Sequence, residues 1–192
     1  MPKPNTAALD FLNTRRSRPA KTLTTPVPDR AQVEAMLTIA ARSPDHGKLE
    51  PWRFVVLGRE ALLRMADLVH TRGAELGRDD VDIDKQHSQY RDAHLAVAVI
   101  EVPRQSDKIP LIEQTYSTGA VCLALLNAAL ASGWGANWLS GWAAHDRDFC
   151  AKALNLGADE RVAGIIHIGT ETSRPPERPR PDIAAITTWL DK

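Results

Sequence analysis

The sequence contains few cysteines, no excess of either charge and no long hydrophobic segment. Its two cysteines, Cys122 and Cys150, lack metal-ligand spacing and no secretory signal precedes them, which predicts a reduced, cytoplasmic chain. The 24 Lys and Arg residues balance the 24 Asp and Glu residues, so a broad nucleic-acid or anionic-membrane surface is excluded and any anion site must be local. The longest apolar run, residues 119–131, contains Asn127 and is too short to span a bilayer.

Several catalytic signatures are also absent. The chain has no GxSxG nucleophile turn, no HExxH zinc motif, no phosphate loop and no Rossmann glycine fingerprint after a strand. Its acidic residues are scattered over predicted helix faces, and neither His87 nor His94 has a metal-ligand partner at a suitable spacing. The length of 192 residues, of which 43% are hydrophobic, predicts one globular domain over residues 1–192.

Hydrophobic periodicity predicts helices that alternate with apolar strands. Strands are expected over residues 51–57, 95–102 and 162–168. The second of these is almost unbroken in its apolar character, which indicates a strand covered on both faces. A helix over residues 110–132 should be about 34 Å long and end at Gly133. Its residues 119–131 are apolar nearly all round, which predicts a buried central helix, one flank of which a second subunit could cover.

Smaller signals indicate where two of the helices begin. Thr6 can cap a first short helix, which would run into the basic residues that follow and end at Pro19. Asp29, with Gln32 three residues later, forms a capping-box pattern at the start of a second, amphipathic helix.

Two further segments have open interpretations. Residues 77–91 are highly charged, which is typical of a short exposed helix or of a mobile lid over a site. The final segment, residues 183–190, is too apolar to be free, so it should dock as an edge strand or short helix on this subunit or on its partner.

A basic segment, Arg15-Arg16-Ser17-Arg18, follows the first helix. These cations can simply complement the negative end of the helix macrodipole. They can also bind a phosphate group, because guanidinium groups donate paired hydrogen bonds to phosphate oxygens and a neighbouring hydroxyl adds another donor.

A second basic segment, residues 42–54, connects the second helix to an apolar strand. Pro44 and Pro51 disfavour helical geometry in the residues before them, so the helix should stop near Arg42. Arg42 and His46 then lie on a loop between two rigid elements, where binding residues are often found. The alternative is a polar helix-to-strand turn with no binding role.

Residues 133–142 combine glycines with tryptophans. They can form an ordinary core strand whose indoles pack, or they can let the backbone approach a planar ligand that lies against flat side chains. Together with the two basic segments, they suit flavin mononucleotide (FMN). Its phosphate requires fixed cations, its ribityl chain requires short donors, and its ring requires a flat apolar bed with polar groups near one edge.

These segments resemble the signatures of a known family. Residues 15–17 (RRS) resemble the opening signature of the nitroreductase family of FMN-dependent NAD(P)H enzymes. Residues 42–46 (RSPDH) and 51–54 (PWRF) resemble its second signature, in the form found in a small YdjA-like subgroup. The resemblance continues through the long helix, residues 134–141 and residues 162–170, and so covers most of the chain.

The resemblance implies an α+β fold, with a central mixed or antiparallel sheet flanked by helices, and an obligate homodimer with FMN at the subunit interface. Carried over by position, the cofactor-binding residues are Arg15, Arg16, Ser17, Arg42, His46, Trp138, Leu139 and Ser140. His46 could reach the cofactor of the partner subunit. The subgroup commonly has an arginine where this chain has Leu139, and Arg178 or Arg180 could compensate for its loss.

The implied function is that of an NAD(P)H oxidoreductase of the nitroreductase type with a ping-pong cycle. NADH or NADPH would give a hydride to flavin N5 and leave before a nitroaromatic, a quinone or a related small acceptor is reduced at the same ring. This chemistry requires neither a protein nucleophile nor a metal. Two alternatives stay open: a flavoprotein of the same fold with a more specialised task, and a non-catalytic flavin- or nucleotide-binding module.

Overall fold

The computed structural model describes residues 3–190, so the four terminal residues of the expected 1–192 domain lie outside the described range. The strands are β1 (Leu23–Thr24), β2 (Trp52–Gly58), β3 (Leu95–Glu101), β4 (Gly135–Leu139) and β5 (Arg161–Glu171). The helices are α1 (Thr6–Thr14), α2 (Arg30–Ala40), α3 (Arg59–Glu75), α4 (Asp80–Arg91), α5 (Leu111–Ala131), α6 (Trp142–His145) and α7 (Arg147–Leu154). Short 3-10 turns occur at Ala20–Thr22 and His46–Lys48.

The strands form one antiparallel sheet. β2 pairs with β3, β3 pairs with β5, and β5 pairs in addition with β4 and β1. Helices cover both faces, which confirms the expected α+β class and, of the two sheet types considered, the antiparallel one. β5 is therefore the strand on which the rest of the sheet is assembled.

β3 is buried over its whole length, as its continuous apolar sequence predicts. Ala96, Ala98 and Ile100 face the core that α3, α4, α6 and α7 cover. Alternate residues such as Val97 and Val99 face the opposite core, beneath α2 and α5. The two-residue period of a strand thus distributes one apolar run between two cores.

The helix ends differ in part from the sequence expectations. Asn5, rather than Thr6, caps α1, since its side chain accepts a hydrogen bond from the backbone N–H of Ala8. α1 ends at Thr14, before the basic segment. The capping box of Asp29 at the start of α2 is confirmed, with both of its reciprocal hydrogen bonds present.

α5 is the expected long central helix, with its inner face buried in the core and its outer face, the flank that a second subunit could cover, exposed within this chain. Val121, Cys122 and Leu125 have no exposed surface, whereas the outer face exposes Tyr116 by 69% and Leu123 by 46%. The predicted end is confirmed: α5 stops at Ala131, and Gly133 follows in a left-handed conformation with φ 85°.

Residues 80–91 form a helix, α4, that packs on α3. Ile83, Gln86 and Tyr90 are buried, and Gly73 of α3 leaves the space that Ile83 occupies, because a Cβ there would lie 2.5 Å from the Ile83 side chain. The short helix is therefore confirmed, with one face packed on α3 and the other exposed, and the mobile lid stays a prediction.

The apolar C-terminal segment does not pack against its own subunit. Ile183 and Ile186 are 66% and 70% exposed, and Trp189 and Leu190 are 82% and 87% exposed. The expectation that the segment docks on this subunit is therefore wrong, and a second subunit is the remaining partner among those considered. Among the described residues, no helix is long and apolar enough to cross a membrane.

His167 of β5 generates a prediction about acid stability. Its two ring nitrogens are buried without a hydrogen-bond partner among residues 3–190, and burial lowers its pKa to about 4. The pKa of this histidine in the unfolded chain is higher, near 6.5. The contribution of neutral His167 to the free energy of unfolding is therefore complete above about pH 6.5, and it falls by about 3 kcal/mol as the pH drops through 4.

Urea unfolding between pH 7 and pH 4.5 measures this dependence. We expect His167→Leu, which removes the titrating group, to flatten it, while His145→Gln, which replaces an exposed imidazole, retains it. If the free energy of unfolding changes with pH equally in the His167→Leu variant and the wild type, the dependence does not come from His167.

Candidate functional site

The basic segment after α1 is extended and tied to the sheet. The backbone N–H of Arg18 donates to the carbonyl of Ala136 in β4 over 2.8 Å. The Arg18 guanidinium forms an ion pair with Glu171 at the end of β5. These two contacts hold the half-buried side chains of Arg15 and Arg16 against the rigid part of the fold.

Arg15 and Arg16 each retain a donor without an acceptor. Arg15 Nη2 donates to Ser17 Oγ over 3.2 Å, and Arg16 Nη2 donates to the carbonyl of Pro176 over 3.0 Å. The Nε atoms of both arginines are buried and have no hydrogen-bond partner among the described residues. A buried donor without a partner is costly, so this cluster is suited to donate hydrogen bonds to a ligand oxygen.

Positive charge is concentrated around Arg15. Burial lowers the pKa of its guanidinium, and the neighbouring cations lower it further in the order Arg180, Arg16 and Arg18. Arg180 comes from the proline- and arginine-rich segment after β5, and it pairs with Glu177 over 2.5 Å. The structure thus places Arg180, one of the two suggested compensating arginines, at the basic segment.

A cavity of about 340 Å³ opens beside these arginines, and we call it the arginine cavity. Its lining residues are Phe11, Thr14, Arg15, Arg16, Arg18, Leu130, Gly133, Trp134, Glu171 and Arg174. Four of them are cationic and one is anionic, so the cavity favours an anionic ligand group. Trp134 contributes an aromatic wall next to the charged one.

The remaining residues of the Gly/Trp segment lie further along β4. Trp138, Leu139 and Ser140 do not line the arginine cavity. From Gly135 to Leu139 the strand advances about 13 Å. The indole of Trp138 lies on the backbone of Gly164, where a Cβ would come within 2.1 Å of Nε1. An elongated ligand with its anion in the arginine cavity could reach these residues along β4.

The loop after α2 borders a different cavity, of about 520 Å³, which we call the histidine cavity. Its lining residues are Pro44, Asp45, His46, Glu113, Tyr116, Ser117 and Ala120. His46 Nδ1 lies 2.6 Å from Glu113 Oε2 at the first turn of α5. Arg42 is exposed at the end of α2 and does not line this cavity.

α5 separates the two cavities. Glu113 and Ala120 line the histidine cavity, whereas Leu130 lines the arginine cavity. The 17 residues from Glu113 to Leu130 correspond to about 26 Å along the helix. One chain therefore brings Arg15, Arg16 and Ser17 together but holds His46 at the other end of α5.

A third cavity, of about 180 Å³, lies beside α7 and shares no lining residue with the other two. Cys150 lines it, and burial raises the pKa of this thiol to about 11. The thiol is therefore protonated at neutral pH and is a poor nucleophile. Among the described residues, no cluster of three or more metal-ligating side chains occurs.

Comparison with known proteins agrees with this arrangement. Residues 12–170 match the model of the nitroreductase family. The chain belongs to the nitroreductase family. The "Putative NAD(P)H nitroreductase YdjA" of Escherichia coli (strain K12) is 31% identical over 163 residues, covering 85% of this chain and 87% of that protein. A "Putative NAD(P)H nitroreductase" of Haemophilus influenzae is 34% identical over 168 residues, with 85% and 88% covered.

Solved structures share the fold. A nitroreductase-like family protein from Bacillus cereus superposes with a TM-score of 0.78 at 22% identity, over 100% of both chains. An FMN-dependent nitroreductase from Clostridium difficile R20291 gives a TM-score of 0.68 at 17% identity, over 96% of this chain and 99% of its own. At these identities the likeness establishes the nitroreductase-like fold.

Sequence reasoning missed several residues that the structure brings to the two cavities. Arg174 and Glu171 line the arginine cavity more than 150 positions after Arg15, and nothing in their local sequence indicates this. Glu113 lies beside His46 although it is 67 residues away. Its place in the first turn of a helix is explained by the macrodipole alone, so the sequence gives no reason to single it out.

Proposed function

We propose that this nitroreductase-family protein is an FMN-dependent NAD(P)H oxidoreductase that works as a homodimer. The observation that carries the proposal is the arginine cavity, with its buried Nε donors on Arg15 and Arg16 that have no acceptor among residues 3–190. The names of the relatives support the nicotinamide donor, and the FMN-dependent structural neighbour supports the cofactor.

The arginine cavity fits the phosphate end of the cofactor. The Nε donors of Arg15 and Arg16 would each donate to a phosphate oxygen, and the Ser17 hydroxyl, already ordered by Arg15, would donate to the phosphate or the ribityl chain. Arg174 and Arg180 would supply the positive charge that an arginine at position 139 gives in the subgroup.

Trp138, Leu139 and Ser140 would lie along the remainder of the cofactor. Trp138 is 37% exposed, so part of its indole surface is available to a planar ring. Leu139 presents an apolar side chain, and Ser140 adds a short hydroxyl donor. When bound, the flavin would supply the hydride chemistry that these side chains do not perform themselves.

A second subunit would complete each site. The outer face of α5 exposes Ile112 and Leu123, and a Cβ at Gly119 between them would meet nothing within 4 Å. Two copies of α5 packed antiparallel about a two-fold axis would bring the arginine cavity of one subunit to the histidine cavity of the other. Arg42 and His46 would then act on the partner's cofactor.

With the same two-fold symmetry, the partner subunit would cover the exposed apolar segments. Leu9 and Leu12 of α1 are 53% and 57% exposed, and the C-terminal segment exposes Trp189 and Leu190 still more. Isolated apolar side chains are normal on a surface, but several on one helix and one tail indicate a covered surface. We therefore assign the C-terminal segment to the partner subunit.

The absorbance spectrum of the purified protein, recorded before and after anaerobic addition of NADPH or NADH, tests the proposal. We expect flavin bands that bleach when the nicotinamide is added and return with a quinone or nitroaromatic acceptor. Bands that persist would indicate a flavin binder with another donor. A protein that takes up no FMN even after soaking would overturn the proposal.

Arg15→Ala should weaken FMN binding about 10- to 100-fold, because a charge-assisted hydrogen bond contributes about 1.5–3 kcal/mol. Equilibrium dialysis against FMN measures the change. The control is Arg30→Ala, which removes an exposed arginine whose carboxylate partner lies on the same helix. Equal FMN affinity for Arg15→Ala and the wild type would contradict the phosphate contact.

Leu123→Glu should dissociate the dimer, because it places a carboxylate on the outer face of α5. Sedimentation velocity measures the mass, and flavin content should fall with the loss of dimer. The control is Val81→Glu on α4, where the replaced valine is 79% exposed. A dimeric, flavin-containing Leu123→Glu protein would rule out the α5 interface.

Free FMN should raise the melting temperature of the FMN-free protein. A ligand at a hundred times its dissociation constant stabilises the folded state by about 2.7 kcal/mol through linkage. Thermal unfolding with increasing FMN measures the effect, with riboflavin as the matched ligand because it lacks the phosphate. A melting temperature that riboflavin raises as much as FMN would show that the arginine cavity does not bind phosphate.

A further inference from the structure

Polar side chains of α5 form hydrogen bonds with both ends of the loop that carries His46. Ser117 Oγ donates to the carbonyl of Pro44 over 2.5 Å, and Thr118 Oγ1 donates to the carbonyl of Pro51 over 3.1 Å. Glu113, one turn before Ser117, reaches the His46 ring between them. Three contacts from a single helix thus fix the loop and the direction of the imidazole.

The backbone of this loop is strained. Gly47 has φ 72°, and two residues with side chains, Lys48 and Glu50, have φ 55° and 49°. The Asp45 carboxylate accepts a hydrogen bond from the N–H of Glu50 over 2.8 Å and closes the turn. Left-handed non-glycine residues are energetically unfavourable and are concentrated at functional sites.

Glu113 determines which atom of the imidazole is available. A carboxylate that accepts a hydrogen bond from Nδ1–H holds the ring in one tautomer and orientation, as in a catalytic triad. Nε2 then remains as the second exchangeable position. Because the His46 side chain is 64% exposed and lines the histidine cavity, Nε2 is open to a ligand there.

Several other ionisable side chains lie near His46. Asp45, Glu113 and Tyr116 line the same cavity, and Lys48 and Glu50 lie on the same loop. The Asp45 carboxylate already accepts a hydrogen bond from the backbone N–H of Glu50. The imidazole, in contrast, has one nitrogen oriented by a carboxylate and a second nitrogen free to exchange a proton with a ligand.

We infer that Glu113 positions His46 so that its Nε2–H protonates the oxygen of a quinone-type acceptor bound at the partner's flavin. This inference rests on the proposed function. Reduction of a quinone to its hydroquinone takes one hydride, supplied from NAD(P)H by that activity, and one proton. The Nε2–H bond breaks, an O–H bond forms on the acceptor, and the neutral imidazole regains its proton from water. Glu113 stays ionised and is a positioning residue.

The variant that tests the inference is Glu113→Gln, which retains the size of the side chain but removes its charge. We expect kcat/KM for a soluble quinone to fall about 10- to 100-fold, at or below the lower end of the 10²–10⁴ that a positioned proton donor contributes, because Glu113 acts only by orienting that donor. The rate of flavin bleaching by NADPH should stay unchanged, because that step takes no proton from His46.

Nitrogen NMR of the histidine rings gives a readout that does not require flavin. In the wild-type protein without flavin, the neutral His46 ring should be protonated at Nδ1, and in Glu113→Gln it should become a mixture of tautomers. The matched control is Glu60→Gln, which removes a carboxylate from the first turn of α3 and so tests the loss of a helix-dipole interaction alone.

A double-mutant cycle with His46→Gln completes the test. If Glu113 acts through His46, adding Glu113→Gln to His46→Gln should change kcat/KM no further. An active wild type whose His46 tautomer is unaffected by Glu113→Gln would overturn the inference alone. A wild type that NAD(P)H cannot bleach would overturn the proposed function and the proton transfer with it, while the tautomer would still decide whether Glu113 holds His46.

Discussion

The pairing of β3 with β5, buried on both faces, is the constraint on which the rest of the structure depends. Every other strand and both helix layers are attached to this pair. The arginine cavity and the histidine cavity are each connected to one end of the β3–β5 pair. Glu171 at the end of β5 pairs with Arg18, and the buried Glu101 at the end of β3 binds Arg161 and accepts a hydrogen bond from Thr115 of α5. The antiparallel ladder thereby holds two charged regions far apart at fixed positions.

The charges at the two cavities are balanced in different ways. Around Arg15 the cations crowd one another, and Glu171 and Glu177 each pair with a different arginine. A bound phosphate would relieve this repulsion, so ligand binding and folding stability are coupled there. At the histidine cavity, the Glu113 carboxylate lies 2.6 Å from His46 Nδ1 and so has a protein partner. The first region is suited to hold an anion and the second to exchange a proton.

The sequence was informative where a signal is local. Strand periodicity, the capping box of Asp29 and the glycine after α5 each depend on neighbouring residues, and the structure confirms them. Contacts between distant residues were not predictable in this way: Arg180 approaches Arg15 and Glu113 faces His46 because of the fold as a whole. The sequence left open what covers the outer face of α5 for a related reason, since apolar composition does not distinguish burial in a core from burial against another subunit.

The length of α5 also explains why the proposed site needs two chains. A straight helix of 21 residues separates its ends by about 30 Å, and the arginine and histidine cavities lie near opposite ends. Bending cannot bring them together, because the inner face of α5 is packed on β3 and β5 through residues such as Val121 and Leu125. The proposed two-fold axis across α5 would solve this problem without deforming either subunit, and it would cover the exposed apolar stripe in the same step. Assembly and site formation would then be a single event. A protein that loses its dimer should therefore lose flavin binding and proton transfer together.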